Sequence, residues 1–154
     1  MRILGIDPGS IHLGWGVIDY VGKKPVYVAS GCFLPGRDED EFNERLLSIH
    51  REVKERIDKF QPDLVAVEDS FYGENVKTAI KLGQVRGVIM LAAYEKNCKV
   101  IEIPTRKIKQ SVTGKGGASK HQVAYMVGQI LKLQINCPED ETDALACAIS
   151  ASRI

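Results

Sequence analysis

Apolar residues run together or alternate in five short stretches and recur at helical spacing in four longer ones. Residues 2–7 and 13–20 read as strands, and PGSIH between them supplies turn residues, so the pair predicts a hairpin. VYVASGCFL (26–34) predicts a third strand, and PGRDED (35–40) is a loop running into an acidic helix start. From 41 to 60, Phe42, Leu46, Ile49, Val53, Ile57 and Phe60 recur at helical spacing. Pro62 closes that helix, and LVAVE (64–68) reads as a short buried strand. Residues 74–96 predict a second long helix, with Ala79, Ile80, Val88, Leu91 and Ala92 on its apolar side. KVIEI (99–103) is a fifth strand, ended by Pro104. PTRKIKQSV reads as a short helix and TGKGGAS (113–119) as a loop. A third long helix is predicted over 120–133 and a last one over about 140–150, burying Ala144, Ala148 and Ile149.

Leaving the short helix aside, the order is β-β-β-α-β-α-β-α-α. A meander followed by βαβ-like units predicts an α/β fold: a mixed five-stranded sheet with helices on both faces. Functional groups in such sheets gather where the carboxyl ends of strands meet helix starts. The 154 residues suit a single domain spanning 1–154, with no repeat, linker or low-complexity segment.

Composition changes this picture little: 44% hydrophobic and 27% charged is ordinary for a globular chain. No apolar run reaches the ~18–20 residues of a membrane span. Met1-Arg2-Ile3 enters a strand pattern at once, so no signal peptide or membrane association is expected, and the cytoplasm is the expected location. Cys32, Cys98, Cys137 and Cys147 form no CxxC pair and have no His at zinc-finger spacing. They read as small buried hydrophobes in a reducing compartment.

Charge matters through its distribution. The formal net charge is +1, yet residues 76–120 carry ten Lys/Arg against Glu95 and Glu102, while 35–75 total −6 and 139–154 total −3. A basic middle can hold a polyanion, although a solvated helix face and a polar loop would look the same.

The candidate chemistry is carboxylate chemistry. Asp7 ends the first strand and Glu68 the fourth, each after an apolar run. A lone buried charge costs several kcal/mol unless it is paired or bound to a metal. Were the two strands neighbours, the two carboxylates would lie side by side and repel, a conflict that a divalent cation resolves. PEDETDALA then supplies Asp140 and Asp143, which share one helix face at i and i+3. Alone, that segment is equally an ordinary helix start, with Asp140 as cap and its neighbours serving the dipole. Together, Asp7, Glu68, Asp140 and Asp143 make an oxygen-rich site for Mg²⁺, with Mn²⁺ as a substitute. Two such ions about 3.5–4 Å apart are the usual device for in-line phosphodiester hydrolysis. Gly9 allows a tight turn directly after Asp7, where a side chain would obstruct an approaching phosphate.

At this point four segments, GIDPGxxxxGWGVID, VAVEDSFYGEN, VTGKGGASKHQV and PEDETDALACAI, resemble the RuvC-type Holliday-junction resolvases, in order and over almost the whole chain. The resemblance implies a ribonuclease-H-like fold and a Mg²⁺-dependent endodeoxyribonuclease that resolves four-way DNA junctions in recombination and repair. It places the four catalytic acids on Asp7, Glu68, Asp140 and Asp143, and two lysines implicated in cleavage on Lys109 and Lys120. It places an aromatic that works against bases at the junction centre on Phe71, with Tyr72 beside it. An exposed ring there can stack on an unpaired base. Lys115 and Lys120 flank a glycine loop whose bare backbone N–H groups can approach phosphate. Lys120 at a helix start opposes the helix dipole, so an anionic partner is expected. GKGGASK falls short of a P-loop, because Ser119 stands where GxxxxGK[ST] requires glycine.

A four-way junction has near two-fold symmetry, so an isologous homodimer is expected. Helix 74–96, with Gly83 and Gly87 permitting close approach, is the candidate interface, packing within one chain being the alternative. A branch-migration motor complex of RuvA–RuvB type is a partner implied by the resemblance alone. Three other functions fit less well. GIDPG is similar to the first phosphate loop of actin-like ATPases, but those need two such domains. A ribonuclease-H-like nuclease with another substrate would share the carboxylates but not the reason for Phe71 and the glycine loop. A non-catalytic junction binder would have no use for four acids.

Overall fold

In the computed structural model, residues 1–36, 41–70, 75–133 and 139–154 are described. Five strands form one sheet: β1 (Arg2–Asp7), β2 (Leu13–Val21), β3 (Lys24–Phe33), β4 (Leu64–Asp69) and β5 (Lys99–Pro104). Their order is β3-β2-β1-β4-β5. The β1–β2 and β2–β3 pairs are antiparallel, whereas β1–β4 and β4–β5 are parallel. The sheet is therefore mixed, as the element order predicts.

Helices cover both faces because strand side chains alternate. Leu4, Ile6, Val65 and Val67 point to one face, where they pack with α1 (Phe42–Phe60) and α2 (Val76–Glu95). Ile3 and Ala66 point to the other, where they pack with α3 (Thr105–Thr113), α4 (Lys120–Leu131) and α5 (Glu139–Ala151). By the same alternation Asp7 and Glu68 fall on the α5 face.

α5 is the most deeply buried helix, its side chains from Ala144 to Ala151 all in the core. Its alanines and the glycines beneath it allow that. A Cβ at Gly5 would stand 2.1 Å from the Ala144 carbonyl oxygen, and one at Gly16 would stand 2.7 Å from Leu145 side-chain carbons. Gly5 and Gly16 are cross-strand partners. A helix thus lies directly on the bare backbone of β1 and β2.

Some boundaries and faces differ from the sequence pattern. α4 stops at Leu131, because Lys132 turns left-handed at φ 56° and closes the helix on the Gly128 carbonyl. α5 begins at Glu139, so Asp140 lies inside its first turn and is not the expected cap. On α2 the buried residues are Val85, Ile89, Ala92 and Ala93, while Ile80 and Leu91 are 58% and 54% exposed. That helix is apolar on both sides, and spacing alone picks neither. Cys98 and Cys147 are buried as expected, but Cys32 is only half-buried. Cys137 lies outside the described residues.

Candidate active site

The parallel β1–β4 register pairs Ile6 with Val67, so the next residues, Asp7 and Glu68, stand side by side at the carboxyl ends of the central strands. The neighbour relation on which the sequence argument depended is present. α5 then carries Asp140 and Asp143 over the same strand ends. Asp7, Glu68, Asp140, Asp143, Lys109 and Lys120 all line one open cleft of about 820 Å³.

The charges in the cleft are coupled. Burial, then Glu68, Asp143 and Asp140, push the Asp7 carboxyl up to about 8, with Lys120 opposing. Burial also raises Glu68, against a hydrogen bond from Thr105 Oγ1 to its Oε1 at 2.5 Å. Thr105 is the first residue of α3, on the strand-end side of β5 next to β4. The sequence reading missed it, although a hydroxyl directly after the strand-ending Pro104 was a signal. Burial raises Asp143 as well, partly offset by Lys120.

The anion expected beside Lys120 is the first turn of α5. Lys120 Nζ lies 2.8 Å from Glu139 Oε1 and 3.7 Å from Asp143 Oδ2. Glu139, then Asp143 and Asp7, hold its ammonium above the usual lysine range. α4 starts under a capping box between Ser119 and Gln122, which fixes where Lys120 emerges. Glu141 turns away from the acids, its Oε2 accepting from Ser30 Oγ at 2.7 Å.

Not every residue marked by the sequence lines the cleft. Lys115 is exposed and lies outside the cleft lining, beside a smaller pocket with His121 and Tyr125. The left-handed cap at Gly114, φ 80°, turns the chain away at that point. Phe71 and Tyr72 lie outside the described residues. Gly9 has no positive φ; its Cβ would stand 2.0 Å from the His12 carbonyl, so close approach within the turn is what requires glycine.

The cleft also holds His12, which no motif marked. Among the described residues, the three-ligand set with all atoms within 4.8 Å of one another is His12, Cys32 and Asp140, whereas the four acids line the wider cleft. Four clustered carboxylates facing two lysines suit a hard cation and a phosphate: the donors are all oxygen, and their mutual repulsion is relieved by divalent charge.

Comparison with known proteins follows the same line. The family model for crossover junction endodeoxyribonuclease RuvC matches residues 3–151. The crossover junction endodeoxyribonuclease RuvC of Enterobacter sp. (strain 638) is 47% identical over 148 residues, 96% of this chain and 84% of that protein. Thermus thermophilus RuvC matches with a TM-score of 0.88 at 35% identity, covering 97% of this chain and 92% of that one. A structure of T. thermophilus RuvC in complex with Holliday junction substrate matches with a TM-score of 0.87 at 32% identity and the same coverage.

Proposed function

The chain belongs to the RuvC family of crossover junction endodeoxyribonucleases, and from that premise we propose that it resolves four-way DNA junctions by paired symmetric nicks, in recombination and repair. One observation carries the chemistry: the β1–β4 pairing and α5 gather four acids and two lysines at one set of strand ends. The T. thermophilus relative bound to a Holliday junction supports the substrate.

Asp7, Glu68, Asp140 and Asp143 would hold Mg²⁺, or Mn²⁺ in its place. A pair of such ions supplies an activated water and stabilises the leaving oxygen in phosphodiester hydrolysis. The rest is the chain's own work. Thr105 fixes the orientation of Glu68. Lys120 and Lys109 bring positive charge to the cleft rim, where the cut phosphate carries its developing charge. Glu139 holds Lys120 in place until the DNA arrives. Lys115 contacts the backbone of an arm from outside the cleft, and Phe71 with Tyr72 stacks on bases at the junction centre.

Two matched cuts call for two copies, and α2 offers the surface. Val76, Ile80, Leu91 and Tyr94 are exposed along one stripe, with Gly83 and Gly87 between them. A Cβ at either glycine would meet nothing within 4 Å in this chain. Mid-helix glycine costs about 1 kcal/mol against alanine, and packing within the chain does not explain that cost here. A second copy approaching along α2 does. Among the described residues no helix is long and apolar enough to cross a membrane.

The test is cleavage of a synthetic mobile four-way junction with Mg²⁺, beside duplex, single-stranded and RNA–DNA hybrid controls. Asp7→Asn runs in parallel. Paired nicks on the junction alone, slowed by at least the ~10–100-fold typical of lost metal-site support in the variant while junction binding persists, are expected. Cleavage of a control in preference to the junction would assign the cleft to another nucleic-acid geometry.

A further inference from the structure

His12 and Cys32 are twenty residues apart and belong to no metal-binding spacing, yet strand pairing brings them to one carboxylate. Leu13 pairs with Phe33 and Gly14 with Cys32, so the start of β2 and the end of β3 lie together. Gly14 has no side chain, and Asp140 settles against it. The outcome is a triangle of three single atoms. Cys32 Sγ is 3.6 Å from Asp140 Oδ2, His12 Nδ1 is 3.5 Å from the same oxygen, and Cys32 Sγ is 4.0 Å from His12 Nδ1. A tetrahedral Zn²⁺, ~2.3 Å from sulfur and ~2.0–2.2 Å from nitrogen and oxygen, spreads its ligands about 3.4–3.6 Å apart. The triangle needs only a few tenths of an ångström of adjustment.

The donor set is the wrong kind for Mg²⁺ and the right kind for a borderline or soft ion. We propose that His12 Nδ1, Cys32 Sγ and Asp140 Oδ2 form a Zn²⁺ site that shares Asp140 with the Mg²⁺ ligands, so that Zn²⁺ bound there slows junction cleavage. The regulatory half rests on the function proposed above; the metal site does not. On binding, the Cys32 thiol releases its proton to solvent and the thiolate ligates the ion. His12 is exposed, which leaves the fourth position to water.

The experiment titrates the full metal-free chain with Co²⁺, reading the thiolate-to-cobalt charge-transfer band, and then displaces Co²⁺ with Zn²⁺. One equivalent is expected, with the band kept in Asp7→Asn and lost in Cys32→Ser. Zn²⁺ affinity in His12→Ala should fall at least ~10-fold, since even an outer-shell partner is worth that much. In parallel, junction cleavage in excess Mg²⁺ is measured with and without Zn²⁺, each variant against itself. Zn²⁺ should slow the unsubstituted chain at least tenfold and Cys32→Ser and His12→Ala much less. A band surviving in Cys32→Ser, or unchanged Zn²⁺ affinity in His12→Ala, overturns the site. Stoichiometric Zn²⁺ that leaves cleavage unslowed overturns the shared role of Asp140. A chain that shows the Cys32-dependent band but cuts no junction with Mg²⁺ overturns the proposed function and upholds the metal site.

Discussion

Gly14 is the seat of Asp140: a Cβ on Gly14 would stand 2.1 Å from the Asp140 carbonyl oxygen. Gly14 is also the cross-strand partner of Asp7. The same small residue therefore flanks one acid of the cleft and sets the height of the helix that delivers two more.

Replacing Gly14 with alanine should lift the start of α5. Overpacking of this kind costs about 1–3 kcal/mol, because the obstacle is backbone and cannot rotate away. The unfolding free energy from denaturant titration should fall by that amount, and single-turnover cleavage should fall further than junction affinity. Unchanged stability and rate would show that α5 does not depend on this seat.

Lys120 lines the cleft, 2.8 Å from Glu139 and 3.7 Å from Asp143, with its side chain still 64% exposed. Lys120→Ala should slow cleavage by about 10²-fold, the scale of losing one group that stabilises developing charge. Binding should change little. Gel-shift titration beside single-turnover rates decides it. A simple phosphate contact would instead weaken binding at unchanged rate and lower the salt slope by about one.

The Asp7 carboxyl ionises at about 8 in the folded chain against an ordinary value of 3.8. Between those values the unfolded chain has lost a proton that the folded chain keeps, so metal-free stability falls as pH rises from 4 to 8. Asp7 accounts for at most about 5 kcal/mol of that fall, and the raised Glu68 and Asp143 act in the same direction. Thermal melts in chelator should show Asp7→Asn gaining on the unsubstituted chain as pH rises to 8. Saturating Mg²⁺ should close that gap. A constant difference from pH 5 to pH 8 would mean that Asp7 ionises normally.

Leu91 and Ile80 are exposed on α2, so a charge there leaves the single chain intact while opposing a second copy. Each leucine or isoleucine buried is worth about 1.5–3 kcal/mol. Leu91→Lys with Ile80→Lys should therefore weaken self-association by about tenfold or more, with melting of the monomer little changed. Sedimentation equilibrium measures it, and an unaltered dimer constant would place the interface elsewhere.

The sequence by itself determined the five strands and the sites of the helices, and it marked the four acids that the fold brings to one cleft; the two lysines came from the family resemblance. Local periodicity, proline stops and strand-ending carboxylates are written within a few residues of each other. It could not choose the buried side of α2, since both sides are apolar, nor tell whether Asp140 caps α5 or lies within it. Tertiary structure decided those, and it decided the cleft. Asp7 and Glu68 become neighbours only through β1–β4 pairing across more than half the sheet's sequence, and Lys120 meets Glu139 only because α4 and α5 pack together. The His12–Cys32–Asp140 triangle is the clearest case. Its members come from a turn, an outer strand and a helix, and no spacing rule links residues that only sheet register and a bare glycine bring within 4 Å of one another.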